Sequence, residues 1–559
     1  MRRPTTRSRP RLRTATDGLP VLLVFGVVGG GSLVGGCTAP DPDFAAPPAS
    51  PASILDFTDE AEQRGLVNRV HDGLDAAWDG QCFLALSSVV ANDIDHDGDA
   101  DLLYWNQEGF PALYLNDGAA RFDEHVVERD IRGRFGRETT AFAVADLNGD
   151  GRPDIVATGL SMLLVSWGQD DLKFSEFEAL YWRDDYPLTC FSTLAVGDVD
   201  GDGDLDVLLP GADHLLDESS AYTESFPAHG SPNLLLLNDG GGFDDVLELV
   251  PAGAPNLSIL GAFTDRDGDG DLDVLVTADR TSGPADGGGP TAFYRNDGPG
   301  PDGRPRFVDE GPALGFASWV HGMGLDTFDF NGDDVIDYCI SDVVPSVRCF
   351  VSLDGGYVER GLALGLSVPP PPGHDDWAYE NGFSGWSIEL AHLDNDEHVD
   401  AVLSGVNEPG REPDTIWRGS PGGFEVVPDA FDPARDAPNF GLALADFAGD
   451  GTLDIATDSG ELWMSGPSEA AWLQVELVGQ AGNPEGIGAR VRITAGDRVE
   501  LREVHALRTF GQSDSIVHLG LGSRQAVDRV EVSWPDGAVS VAENVEARQR
   551  FVLRHPDAP

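Results

Sequence analysis

Asp265-Arg266-Asp267-Gly268-Asp269-Gly270-Asp271-Leu272-Asp273 recurs in recognisable form seven times, with copies starting at Asp93, Asp146, Asp198, Asp265, Asp329, His392 and Asp446. Carboxylates at positions 1, 3 and 5, a glycine at 6 and an aspartate at 9 gather hard oxygens around one point, and position 7 can add its carbonyl. Such an oxygen shell suits Ca²⁺. The position-12 glutamate and the flanking helices of an EF-hand are missing. Each copy runs instead into a segment such as Asp273-Val274-Leu275-Val276-Thr277, so the loops are expected to join strands.

The seven copies differ in their ligands. The first, third and fourth offer Asp93, Asp95, Asp97 and Asp101; Asp198, Asp200, Asp202 and Asp206; and Asp265, Asp267, Asp269 and Asp273. The second offers Asp146, Asn148, Asp150 and Asp154, with Asn148 supplying a neutral oxygen. The fifth offers Asp329, Asn331, Asp333 and Asp337, but Asp334 replaces the glycine and must make the turn unaided. The sixth begins with His392 and keeps Asp394, Asp396 and Asp400; the seventh has Ala448 at position 3 and keeps Asp446, Asp450 and Asp454. Each of these two lacks one of four side-chain ligands, which leaves open a metal-free turn held by Asx hydrogen bonds. About five Ca²⁺ sites are expected, and up to seven.

The loops start 53, 52, 67, 64, 63 and 54 residues apart, the length of one four-stranded blade plus variable connections. Narrow apolar segments precede them, as in Ala141-Phe142-Ala143-Val144-Ala145 and Leu442-Ala443-Leu444-Ala445, which suits the innermost strands of a propeller. Later in each unit comes a tight turn, as at Asn238-Asp239-Gly240, and then a strand led by Phe or Tyr. The seventh unit reaches Trp472 with no room for that last strand. Its wording occurs instead at the start, as Phe57-Thr58-Asp59-Glu60 to Gly65-Leu66, so residues 54–66 are expected to close the ring. The expected fold is all-β: a seven-bladed propeller over residues 54–468 and a small β-sandwich-like domain over 469–555.

These repeats resemble the FG-GAP and VCBS repeats of integrin-like β-propellers. The tail carries Trp472-Leu473-Gln474-Val475, Gly486-Ile487-Gly488-Ala489-Arg490-Val491, His518-Leu519-Gly520-Leu521-Gly522 and Val532-Ser533-Trp534-Pro535-Asp536-Gly537, which resemble the ASPIC/UnbV domain. The two parts in this order resemble bacterial relatives of the cartilage acidic protein family. The resemblance implies a non-enzymatic binding protein.

Composition points the same way. The chain has 96 Asp plus Glu against 36 Lys plus Arg, a net charge of −60, and 29 of those acids lie in the seven loops. Such a surface disfavours nucleic acid and anionic membrane. The N-terminus has a basic region from Arg2 to Arg13, an apolar stretch from Leu19 to Val34, and Val34-Gly35-Gly36-Cys37. This pattern resembles a lipoprotein signal over residues 1–36, with Cys37 lipidated and 37–53 a Pro- and Ala-rich tether; ordinary signal-peptide cleavage nearby is the alternative. The protein is then exported and lipid-anchored to the envelope, touching membrane only through its anchor. Cys339 and Cys349 flank a loop centred on Val344 and are expected to pair across a hairpin, while the pairing of Cys82 and Cys190 stays open.

No nucleophile-elbow, zinc-protease, P-loop or dinucleotide fingerprint is present. The leading function is therefore a calcium-binding, non-enzymatic binding, adhesion or scaffold module with a protein or glycan ligand. A carbohydrate-active hydrolase or lyase built on the propeller is the alternative. Trp534 is read as tail core, and Pro369 to Trp377 as a connector.

Overall fold

The computed structural model describes residues 55, 57–66 and 88–558, apart from connecting stretches of which the longest are 126–138, 214–231, 280–290 and 367–384. All of these belong to one compact unit, residues 45–559. The signal region, Cys37, the tether, Cys82, the Cys190 side chain and the proline run lie outside the described residues or side chains.

Among the described residues the repeat region forms seven sheets of four antiparallel strands each, the first extended by a short parallel strand from the tail. In sheet 1 the strands Val89–Asn92, Asp101–Trp105, Pro111–Asn116 and Phe122–His125 follow one another outward. The first strands of sheets 2 to 6 are Thr139–Ala145, Ala195–Gly197, Leu257–Thr264, Leu325–Phe328 and Gly385–Ala391. Sheet 7 has Leu442–Ala445, Asp454–Thr457 and Leu462–Ser465, and its outer strand is Phe57–Asp59, paired as Phe57↔Ser465 and Asp59↔Trp463. Chain start and last repeat are thus joined by backbone hydrogen bonds, leaving no open edge there.

Packing between sheets explains the small first strands. One apolar cluster joins each neighbouring pair: Val90 with Val144, Val156 with Val207, Leu208 with Val274, Leu275 with Tyr338, Cys339 with Leu403, and Val402 with Ile455. The series closes where Ala443 and Phe447 of sheet 7 pack with Val89 and Phe122 of sheet 1. The contacts therefore run in a ring, the arrangement of a β-propeller. Cys339 and Cys349 are directly opposed in sheet 5 and form a disulfide.

The tail folds as two facing sheets, one of Val517–Gly522, Ala471–Val478 and Gln549–Arg554, the other of Arg498–Glu503, Arg490–Ala495, Ala526–Ser533 and Val539–Glu546. Their alternating apolar residues, among them Leu473, Val491, Leu519 and Val532, form its core with Trp534. Trp534 donates from Nε1 to Ser540 Oγ at 3.0 Å. Among the described residues no helix is long and apolar enough to cross a membrane.

Candidate metal sites and the face that carries them

Each acidic loop connects the first and second strands of its sheet, so all seven emerge at the same end of the ring. Their shape follows from local hydrogen bonding. The position-1 carboxylate accepts from backbone N–H groups ahead of it: Asp146 from Asp150 N at 3.1 Å and Gly151 N at 2.7 Å, Asp198 from Asp202 N and Gly203 N, both at 3.1 Å. To turn its N–H inward, position 6 adopts left-handed backbone, with φ from 64° at Asp334 to 99° at Gly98 in six loops. Asp334 does not make this turn unaided, because Arg492 of the tail donates to its Oδ1 at 2.9 Å.

The position-9 aspartates have a structural task besides any metal. Asp101 accepts from Ile94 N at 3.0 Å and Asn116 N at 2.9 Å; Asp206 does the same with Val199 and Asn238, and Asp337 with Phe330 and Ser352. Each carboxylate thereby ties the loop to the third strand of its sheet.

Three loops bring their carboxylates together. Ligand oxygens of Asp93, Asp95 and Asp101, of Asp198, Asp200 and Asp206, and of Asp265, Asp267 and Asp269 lie within 4.8 Å of one another in each group. Each of these loops also buries an oxygen that has no hydrogen-bond partner: Asp93 Oδ1, Asp200 Oδ1 and Asp273 Oδ2, the last 4.0 Å from Arg266 Nε. Unpartnered buried carboxylate oxygens are costly, and a divalent cation would satisfy them. Loss of hydration raises the pKa of Asp198 to about 7, of Asp200 to about 6 and of Asp273 to about 8, and neighbouring carboxylates add to the rise. A bound Ca²⁺ would supply the missing positive charge. The donor sets of loops 1, 3 and 4 therefore fit the ion. Asp97, Asp202 and Asp273, all candidate ligands, stand outside these close groups.

The remaining loops differ. In loop 5 the Asn331 amide donates to Asp333 Oδ2 at 3.1 Å and to Ser352 O at 2.9 Å. In loop 7 Asp446 Oδ2 accepts from Gln474 Nε2 of the tail at 2.9 Å, while Asp454 Oδ2 is buried without a partner. In loop 6 Arg418 donates to Asp394 Oδ2 at 2.8 Å and Asp396 Oδ2 at 3.0 Å.

The tail lies against this face and reaches all seven loops. Arg550 donates to Gly98 O in loop 1, and Gly482 packs on Gly149 of loop 2 and Gly203 of loop 3. In loop 4, Glu503 accepts from Asp265 N at 2.8 Å, and Arg490 lies 3.4 Å from Asp265 Oδ2. Arg492 holds loop 5 through Asp334, Glu500 meets His392 of loop 6 at 3.0 Å, and Trp472 covers Gly451 of loop 7. Near the axis, Gly511–Gln512 pairs in parallel with Val89 and Val90. Gln512 bonds both the N–H and the carbonyl of Val144, at 2.8 and 3.0 Å, and Ser513 and Asp514 bond Leu444. Trp472 and Arg490 fall in the ASPIC/UnbV-like blocks of the sequence and the other docking residues in none; His518, in a further block, bonds Asn395 Oδ1 at 2.6 Å.

Closed ring, acidic strand-joining loops and a β-sandwich tail define the class: a β-propeller in which FG-GAP-like repeats and a C-terminal ASPIC/UnbV domain are matched over part of the chain. Residues 93–157 and 146–209 match the FG-GAP-like repeat family, and residues 479–559 match the ASPIC and UnbV family. The chain is similar to cartilage acidic protein 1 of Xenopus tropicalis, 26% identical over 294 residues that cover 47% of this chain and 41% of that protein. The mouse protein of the same name is 26% identical over 44% of this chain and 38% of its own length. The chain thus spans about two fifths of the curated relatives it matches. Among solved structures, an Agrocybe aegerita lectin that recognises non-reducing terminal N-acetylglucosamine is similar over 68% of this chain and 93% of its own, at 17% identity and a TM-score of 0.40.

Proposed function

We propose that this is an exported, lipid-anchored, calcium-binding propeller that acts as a non-enzymatic binding or adhesion module for a protein or glycan. The observation that carries the metal part is the coincidence of close carboxylates and an unpartnered buried oxygen in each of loops 1, 3 and 4. Export is supported by the disulfide between Cys339 and Cys349, a bond that persists in oxidising compartments. Cys37 would carry the lipid.

The tail covers the end of the ring where the first and second strands meet, which leaves a partner the opposite end. At that end the second strands finish, as at Asp279 and Gly405, and the third strands begin, as at Asn233, Ala292 and Thr415. A screen of residues 54–559 against glycan arrays, protein panels and glycan substrates tests the reading. Binding without turnover is the expected result; turnover of a glycan would overturn it in favour of a carbohydrate-active enzyme.

A further inference from the structure

Loop 6 departs from its six siblings in three linked ways. Position 1 is His392 rather than a carboxylate, so nothing there accepts from position 6. Position 6 is Glu397, which is absent from the left-handed residues although position 6 of all six other loops is among them. Inside the loop, Arg418 on the strand Thr415–Ser420 reaches Asp394 and Asp396 with two different nitrogens, at 2.8 and 3.0 Å. Asp394 and Asp396 are both buried, and the guanidinium sets one positive charge between them where another loop would need an ion.

The rest of the loop is tied to protein partners. Asp400 accepts from Leu393 N at 3.0 Å and Gly419 N at 2.7 Å. His392 is fully buried, its Nδ1 3.0 Å from His398 O and its Nε2 3.0 Å from Glu500. Glu500 in turn accepts from Arg502 at 2.9 Å and from Arg498, and Arg502 donates to Leu390 O at 2.9 Å. A continuous charged network therefore runs from the first strand of sheet 6 into the tail.

We propose that Arg418 is the resident cation of loop 6, so that this loop takes no calcium and fastens the tail to the propeller whether or not calcium is present. The calcium count then has a ceiling of six. The inference refines the calcium reading of the other loops but stands on its own geometry.

Hydrogen–deuterium exchange on the full chain, with Ca²⁺ and with EDTA, tests it. The peptide spanning 392–400 is expected to keep its protection in EDTA, and the peptide spanning 198–206 to lose it. Loss of protection in 392–400 overturns the proposal, whereas an unresponsive 198–206 counts against the calcium reading alone. A second test replaces Asp394→Asn together with Asp396→Asn and counts bound calcium by elemental analysis. An unchanged count with a lower melting temperature in EDTA is expected; a count lowered by one per chain contradicts the proposal.

Discussion

Arg490 of the tail lies 3.4 Å from Asp265 Oδ2, the first carboxylate of loop 4 and 225 residues away in sequence. Beside it Glu503 accepts from the Asp265 N–H, so the tail holds the loop's first residue by side chain and by backbone. Metal loop and tail therefore share an energetic boundary. Removing the buried Glu503 carboxylate leaves Asp265 N without its acceptor and Thr264 Oγ1 with the Tyr338 hydroxyl, 2.8 Å away. Glu503→Ala is expected to cost roughly 3 kcal/mol, the range for breaking a buried charged network. Chemical denaturation checks this, and a cost under about 0.5 kcal/mol would contradict it.

Ring closure rests on Phe57, which is buried in the cluster between sheets 6 and 7 that also holds Phe431 and Trp463. Phe57→Ala is expected to destabilise by about 3–5 kcal/mol. Deleting residues 54–66 would expose the edge of Leu462–Ser465 and promote association, whereas deleting 38–50 would not. Light scattering of the two deletions distinguishes them; equal behaviour would refute the closing role.

Two glycines at the same loop position should respond differently. A Cβ on Gly451 would lie 1.8 Å from the Trp472 ring, while a Cβ on Gly270 meets nothing within 4 Å. Both have positive φ, 85° and 95°. Gly270→Ala is expected to cost about 1–2 kcal/mol from backbone conformation alone. Gly451→Ala must also displace Trp472 and should loosen the tail, read as faster proteolysis between propeller and tail. Equal costs at both positions would show that Trp472 yields freely.

Acid should weaken the docked tail through His518. Burial, with His392 and Arg502 nearby, lowers its pKa to about 3, although Glu500 opposes the shift. The unfolded chain binds a proton below about 6.5 that the folded protein refuses. This contribution is therefore complete above pH 6.5 and declines as pH falls from 6.5 towards 3. His518→Gln should flatten that part of the stability profile; an identical slope in both proteins between pH 6 and 4 would contradict the assignment.

The loops were legible because their chemistry is local: nine consecutive residues contain the carboxylates, the turn and the strand that follows. Phe57-Thr58-Asp59-Glu60 was legible for a related reason, since it repeats the wording of Phe307-Val308-Asp309-Glu310, and in the structure it pairs with Trp463 to Ser465. Tail docking was not legible. Gln512 and Val144 stand 368 residues apart, and a glutamine that bonds a strand's N–H and carbonyl leaves no periodic trace. Arg418 was hidden likewise, 24 residues beyond Asp394 on another strand. Glu397 stands where five other loops have glycine, a departure whose meaning depends on Arg418.

The central claim is that loops 1, 3 and 4 bind Ca²⁺ in the folded protein. Differential scanning calorimetry across a Ca²⁺ titration, on protein stripped with EDTA and verified metal-free, tests it most directly. Each site is expected to add roughly 2.7 kcal/mol when free Ca²⁺ is about a hundred times its dissociation constant, so the melting temperature should climb with calcium. Asp200→Asn should reduce that climb. A melting temperature that is the same in EDTA and in saturating Ca²⁺ would contradict the account.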